Sequence, residues 1–233
     1  MPEQVILQIE TATQVCSIAL AANGVTIVSH DVDEPNVHAA KLTLLIMEVM
    51  RSNGLSFSDL AAVAVSKGPG SYTGLRIGVS TAKGLCYAAD LPLIGVDTLA
   101  GMAEGFLASY AGQIDENTRL CPMIDARRME VYSAVYSDQL EPIRPTRAVI
   151  IDDQSFDSLA PHQRTILFGS GVDKLVERFA GHEQVTVVPG FKNSAGHLSR
   201  LAYRALADGL LEDVAYFEPY YLKDFVATTQ KKS

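Results

Sequence analysis

The chain has 233 residues, 48% of them apolar, and carries 19 Lys and Arg against 27 Asp and Glu for a net charge of −8. That length suits one large domain or two small ones. The acidic balance argues against nucleic-acid binding by the chain's own surface, which would need a basic face to neutralise phosphates, and no apolar run approaches the ~20 residues that span a bilayer.

The first residues, MPEQVILQIE, run straight into a strand without a basic, apolar, small-residue leader. Cys16, Cys86 and Cys121 are odd in number, lie in apolar contexts and form no C-x-x-C pair. Together these features point to reduced, buried thiols in a cytoplasmic protein with no membrane attachment. Residues 5–9, 15–21 and 25–31 alternate as three strands, the last two joined by Asn23-Gly24, a strong hairpin signal. Asn36 is placed to cap a helix running from Val37 to about Asn53, which Gly54 ends. A buried strand over 61–66 breaks on Gly68, Pro69 and Gly70, and a helix begins near Thr73. Two glycines around a proline permit a tight turn and close backbone approach. The hydroxyls of Ser71 and Thr73 can cap the first free N–H groups. A strand over 93–96 and a helix from Asp97 to about Ala111 complete the order β-β-β-α-β-α-β-α.

Both early helices have two faces that want cover. In the second, Leu75, Val79, Ala82 and Cys86 form a core stripe, yet the opposite side (Ile77, Ser80, Thr81, Gly84, Ala88) is small and uncharged rather than Lys/Glu-rich. A glycine in an exposed helix costs ~1 kcal/mol relative to alanine, so Gly78 and Gly84 call for something packed closely against them. In the first, Leu42, Leu45, Ile46, Val49 and Met50 make the core stripe, while Ala40, Leu44, Met47 and Arg51 make another on the far side. Either this helix is sandwiched within its own domain or its second face is an interface. Met47, adaptable and weakly specific, suits a contact surface.

The second part repeats the element order at low identity. Strands are expected over 120–124 and 131–136, around Asp125-Ala126-Arg127-Arg128, and near 148–151. A short helix near 156–159, a strand over 165–168, a helix from Val172 to about Ala180, a strand over 185–188 and a helix from Ser194 to about Asp208 follow. Two tandem β-β-β-α-β-α-β-α units are the plan of the actin-like, sugar-kinase and Hsp70 ATPase fold, an α/β class. The polar link at 113–118 divides them into lobes of residues 1–113 and 114–233.

The run Ser66-Lys67-Gly68-Pro69-Gly70-Ser71-Tyr72-Thr73-Gly74-Leu75-Arg76-Ile77-Gly78 closely resembles the signature of the TsaB (YeaZ) family. Further matches follow in order: Glu10 to Thr13, His38, Asp125 to Tyr132, Phe168-Gly169-Ser170-Gly171 and Pro219 to Lys223. The family usually has Asp where Glu10 stands and Arg where Lys223 stands. The resemblance implies a non-catalytic subunit of the assembly that transfers a threonylcarbamoyl group to N6 of adenosine 37 in tRNAs reading ANN codons. It implies contact with a TsaD-like paralogue that carries the metal and the chemistry, with a TsaE-like ATPase in the larger assembly. It also implies a homodimer when the paralogue is absent, and contact with tRNA only through partners. In the family the first-half helices form these contacts, which agrees with the doubled faces above.

Other chemistry is thinly supported by the residues. The paralogue's H-x-x-x-H metal motif has no counterpart, since four residues after His38 stands Leu42, and His30, His162, His182 and His197 show no ligand spacing; no metal site is expected. No G-x-S-x-G elbow exists. The turn after Ser66 is neither a Walker A loop nor G-x-G-x-x-G. Nucleotide contacts of an actin-like kind would fall on Glu10, Thr11, Thr13, Asp125, Gly169 and Gly171. The first of these loops lacks glycine, so its N–H groups are poorly placed for phosphate. Ordinary hairpin turns are the preferred reading, with weak or vestigial ATP or ADP binding left open and no cofactor required. A small phosphotransferase of the same fold is the rival function. Arg127, Arg128 and Glu130 read either as a solvated hairpin or as a partner contact.

Overall fold

The computed structural model describes residues 3–152, 154–156, 160 and 162–223. Two five-stranded sheets repeat one topology. The first takes β1 (Val5–Glu10), β2 (Val15–Ala22), β3 (Val25–Asp33), β4 (Leu60–Gly68) and β5 (Leu93–Asp97) in the order β3-β2-β1-β4-β5. The second takes β6 (Thr118–Asp125), β7 (Glu130–Tyr136), β8 (Pro142–Ile150), β9 (Arg164–Phe168) and β10 (Val185–Val188) in the order β10-β9-β6-β7-β8. In each, the first strand pairs antiparallel with the second and parallel with the fourth. This is the actin-like repeat that the element order implied.

Alternation along β1 sorts the layers. Val5, Leu7 and Ile9 face α1 (His38–Ser52) and α2 (Tyr72–Ala89), packing with Leu42, Ile46, Val79 and Cys86. Ile6 faces the other way and packs with Ala62, Ala64, Ile94 and Val96 beneath α4 (Ser199–Ala207), which contributes Ala202 beside Leu198 of the preceding turn. The last helix of each half therefore covers the sheet of the other. α3 (Thr98–Tyr110), a first-half helix, lays Leu99, Met102, Ala103 and Phe106 on Leu120, Ile124, Ile166 and Phe168 of the second sheet. Phe106 and Phe168 stack with ring centroids 4.0 Å apart.

Local signals explain most boundaries. Asn23 and Gly24 both adopt positive φ, 49° and 82°, the two-residue hairpin that their sequence demands. Ser71 caps α2, its Oγ accepting from Gly74 N, and Asp97 caps α3, accepting from Ala100 N at 2.9 Å. Thr73 makes no cap; it lies exposed inside the first turn of α2.

Four expectations need correction. Asn36 does not cap α1: it sits at φ 60°, and Val37 takes the cap position without a side-chain bond. The strand expected at 148–151 begins instead at Pro142, because Pro142 and Pro145 are tolerated on the sheet edge that β8 forms. The helix expected over 172–180 is a 3₁₀ turn, Asp173–Leu175, followed by further turns. Its apolar stripe, Val172, Leu175 and Phe179, is buried as the spacing required, but most of its backbone bonds reach back three residues rather than four. The last helix likewise opens with a 3₁₀ turn, Ala195–Leu198, before α4. Much of the helix expected near 156–159 lies outside the described residues. No helix among the described residues is long and apolar enough to cross a membrane.

Candidate partner surface and the turn that seats it

α1 and α2 lie side by side on the first sheet, and among the described residues the outward positions 40, 44, 47 and 51 of α1 and 80 and 84 of α2 are exposed. On α1, Ala40, Leu44, Met47 and Arg51 are all exposed, with Leu44 at 67% and Met47 at 60%. The alternative of an internal sandwich therefore fails. On α2, Ser80 and Gly84 are exposed, and Ile77 and Thr81 are half-buried. A Cβ placed on Gly84 would meet nothing within 4 Å. With the exposed Ala88, all nine residues that the sequence put on the second faces are thus exposed or half-buried on these two adjacent helices.

Gly78 behaves differently from what its sequence context suggested. It is buried, and a Cβ there would collide with Thr11 Oγ1 of the chain's own β1–β2 loop. The same holds one turn earlier: Gly74 abuts the Thr11 carbonyl, and Gly70 abuts Ala12. Glycines at 70, 74 and 78, spaced by four, form a bare track on which the 11–12 loop rests. Ser71 N donates to Ala12 O at 2.7 Å and fastens the start of the helix to that loop. Gly68, at φ +120°, holds a conformation that L side chains rarely adopt, and it lies against the carbonyl of Tyr220. Pro69 follows through a cis peptide bond. The chain's last described residues then run along the helix. Tyr220 N donates to Lys67 O at 2.7 Å, Lys83 Nζ donates to the carbonyls of Ala215 and Phe217 at 3.1 and 2.8 Å, and Arg76 Nε donates to the Tyr221 hydroxyl at 3.1 Å. Sequence reasoning gave Thr11, Ala12 and Tyr220 no part in seating α2. The four-residue spacing of the glycines was the signal that could have found the loop; nothing in the sequence placed Tyr220.

Between the halves lies an open cleft of about 1010 Å³, lined by Thr13 and Gln14, the starts of α1 and α2, the turn at 125–127, Ser170 and residues 220–223. Of the six residues named for nucleotide contact, Thr13 and Asp125 line it. Glu10 and Thr11 are buried, and Gly169 and Gly171 are packed against Met123 and its neighbours. The Ala12 N–H, which an actin-like loop would turn to a phosphate, donates instead to Glu10 Oε1 at 2.5 Å. Asp125 is engaged by Lys174 Nζ at 2.5 Å, which also donates to the carbonyls of Arg128 and Glu130. Arg127 and Arg128 hold the turn at φ 71° and 53°, and Glu130 pairs with Lys223. His38 is buried at the head of α1 with Nε2 3.2 Å from Val15 O, and Leu42 points into the core. Burial pushes the thiols of Cys16, Cys86 and Cys121 up to about 11, so all three are unreactive core groups at neutral pH.

Residues 35–230 match the family model described as TsaD, tRNA N6-adenosine threonylcarbamoyltransferase. The chain is 34% identical over 231 residues to the tRNA threonylcarbamoyladenosine biosynthesis protein TsaB of Escherichia coli (strain K12), covering 95% of this chain and 96% of that protein. It is 40% identical over 114 residues to the tRNA N6-adenosine threonylcarbamoyltransferase of Halalkalibacterium halodurans, a match covering 42% of this chain and 33% of that one. Among solved structures, YeaZ from Pseudomonas aeruginosa superposes with a TM-score of 0.76 at 28% identity, covering 94% of this chain and all of that one.

Proposed function

The chain belongs to the TsaB (YeaZ) family of tRNA threonylcarbamoyladenosine biosynthesis proteins, and from that premise we propose that it serves the modification as a non-catalytic scaffold. Its work is to dock a TsaD-like paralogue of the same fold, helix pair against helix pair, in the cytoplasm. A TsaE-like ATPase joins the same assembly, and tRNA is reached only through these partners. In isolation the same face pairs two copies of this chain. The threonylcarbamoyl transfer to adenosine 37 then belongs to the paralogue.

The observation that carries this reading is the open α1–α2 face, where Leu44 and Met47 stand in solvent beside a glycine with empty space above it. Exposed apolar side chains grouped on adjacent helices mark an interaction site, and a bare glycine lets a second helix approach closely. A phosphotransferase fits the geometry less well, because the first loop spends its amide on Glu10 and its carbonyl on Ser71. The test is Gly84→Arg, whose side chain enters only open space within this chain. The variant should fold normally and lose co-purification with the TsaD-type paralogue from the same cell. Undiminished co-purification would place the interface elsewhere.

A further inference from the structure

Glu10 is a buried acid that the docking reading does not use. It is 1% exposed, at the end of β1, on the strand face turned away from α1 and α2. That face meets the second half. Ser17 of β2, the strand partner of Glu10, accepts from Ala195 N at 2.7 Å, and Asp31 of β3 accepts from Ser194 at 3.0 Å. The surroundings are polar but unpaired. Ser66 Oγ and Asn193 Nδ2 lie close enough to the Glu10 carboxyl to favour its charged form, yet among the described residues neither makes a hydrogen bond of good geometry, and both polar atoms of Gln8, two residues back on the same strand face, are also unpartnered. Among the described residues, one oxygen of Glu10 accepts a hydrogen bond, from Ala12 N.

The ionisable groups on the elements packed around it supply no counter-charge. Asp31 adds a like charge. Lys192 is drawn to Asp33, Lys67 sits between Glu212 and Asp97, Arg200 is held by Glu104, and burial holds His197 towards its neutral form. A carboxylate buried without a cation is costly, and such a group neutralises instead. We infer that Glu10 is a proton-linked latch between the halves: in its protonated form it lets residues 193–195 seat dry against the first sheet, and its ionisation loosens that seat by drawing in water. The neutral carboxyl has an O–H for Ser66 Oγ while it still accepts from Ala12 N. The carboxylate offers two acceptors, and Asn193 Nδ2 and the Ser66 hydroxyl are the donors beside them.

Burial raises the Glu10 carboxyl from 4.5 to about 7, against the smaller opposing influence of the Ala12 N–H and of the Ser66 and Asn193 side chains. Folded and unfolded chains differ in bound protons between those values. The stability gained from the neutral carboxyl is complete below pH 4.5 and is lost as pH rises through about 7. The test is thermal unfolding and amide hydrogen exchange of the full chain from pH 5 to 8.5, with Glu10→Gln and Asp31→Asn alongside. The expected result is a wild-type melting temperature that falls through neutrality, a Glu10→Gln variant that lacks this fall and melts several degrees above wild type at pH 8.5, and an Asp31→Asn variant whose fall sits at lower pH. The last follows because the Asp31 charge raises the Glu10 pKa and its removal lowers it; a fall displaced to higher pH contradicts the latch. Exchange at 12 and 193–195 should quicken with pH beyond the intrinsic base dependence. A wild-type profile shared by Glu10→Gln overturns the latch. So does a pH 8.5 melting temperature restored by sodium or potassium chloride but not by choline chloride at equal ionic strength, which would make the ligand a metal cation rather than a proton. If Glu10→Gln fails to fold, the wild-type exchange rates at 193–195 decide alone: rates that follow only the intrinsic pH dependence overturn it.

Discussion

Gly74 and Gly84 occupy one helix ten residues apart, and their surroundings are opposite. At Gly74 a methyl group would strike the Thr11 carbonyl, a backbone atom that cannot swing aside; at Gly84 it would enter open space. Gly74→Ala should therefore destabilise the chain by about 1–3 kcal/mol, the usual cost of overpacking, and lower its melting temperature. Gly84→Ala should do the reverse, gaining roughly 0.5–1 kcal/mol from helix propensity and a less free unfolded chain. Paired denaturant melts would check both signs, and a stabilised Gly74→Ala would mean that the loop does not rest on the helix as described. Nothing in the chain's own described fold requires glycine at 84; under the proposed docking, close helix approach by a partner does. Sequence alone could not separate Gly78 from Gly84. Both called for something packed closely against the helix, and only the packing shows that the neighbour at 70, 74 and 78 is Thr11-Ala12, from sixty residues upstream.

At the scale of the element, α1 carries the clearest consequence. Its inward stripe, Leu42, Ile46, Val49 and Met50, is buried, and its outward residues Leu44 and Met47 contribute nothing to the core. Replacing Met47 by Glu should leave the melting temperature of the isolated chain within about 0.5 kcal/mol equivalent, as for surface changes generally, and weaken association with the paralogue at least tenfold. Calorimetric titration reads the second effect and a thermal melt the first. If both stay unchanged, α1 is not part of the contact. This helix was legible because a 3.6-residue period with two apolar stripes has no other reading. The strands were legible for the matching reason of alternation. Elements failed where tertiary context overruled pattern. Residues 172–180 have the right spacing for a helix, but they are a short stretch between Gly171 and Gly181 whose three apolar anchors are buried by successive turns, and a free-standing helix of that length is marginal. Pro142 and Pro145 hid the start of β8, because their cost disappears at a sheet edge that the sequence cannot reveal.

The whole molecule is held together by an exchange. α3 leaves the first half to cover the second sheet, and residues 195–207 leave the second half to cover the first. A division into residues 1–113 and 114–233 separates the strands cleanly but cuts each sheet from the helix that covers one of its faces. The order of elements predicted the repeat; it carried no information on which sheet each final helix would choose, since that is decided by the path of the chain between the halves. The exchange makes the halves one cooperative unit, with the open cleft left between their outer ends. Phe106 is the place to test it. It belongs to α3, is fully buried, and stacks on Phe168 of β9 at 4.0 Å and on Tyr110 at 4.3 Å. Phe106→Ala removes a large buried ring at a cost of about 3–5 kcal/mol. If the halves are coupled through the crossed helices, the loss should appear equally in the opening of β4 and of β9 by native-state hydrogen exchange, and the thermal transition should stay single. A variant in which β9 opens early while β4 keeps its wild-type protection would show two independent lobes, and with them a docking face on α1 and α2 that owes nothing to the second half.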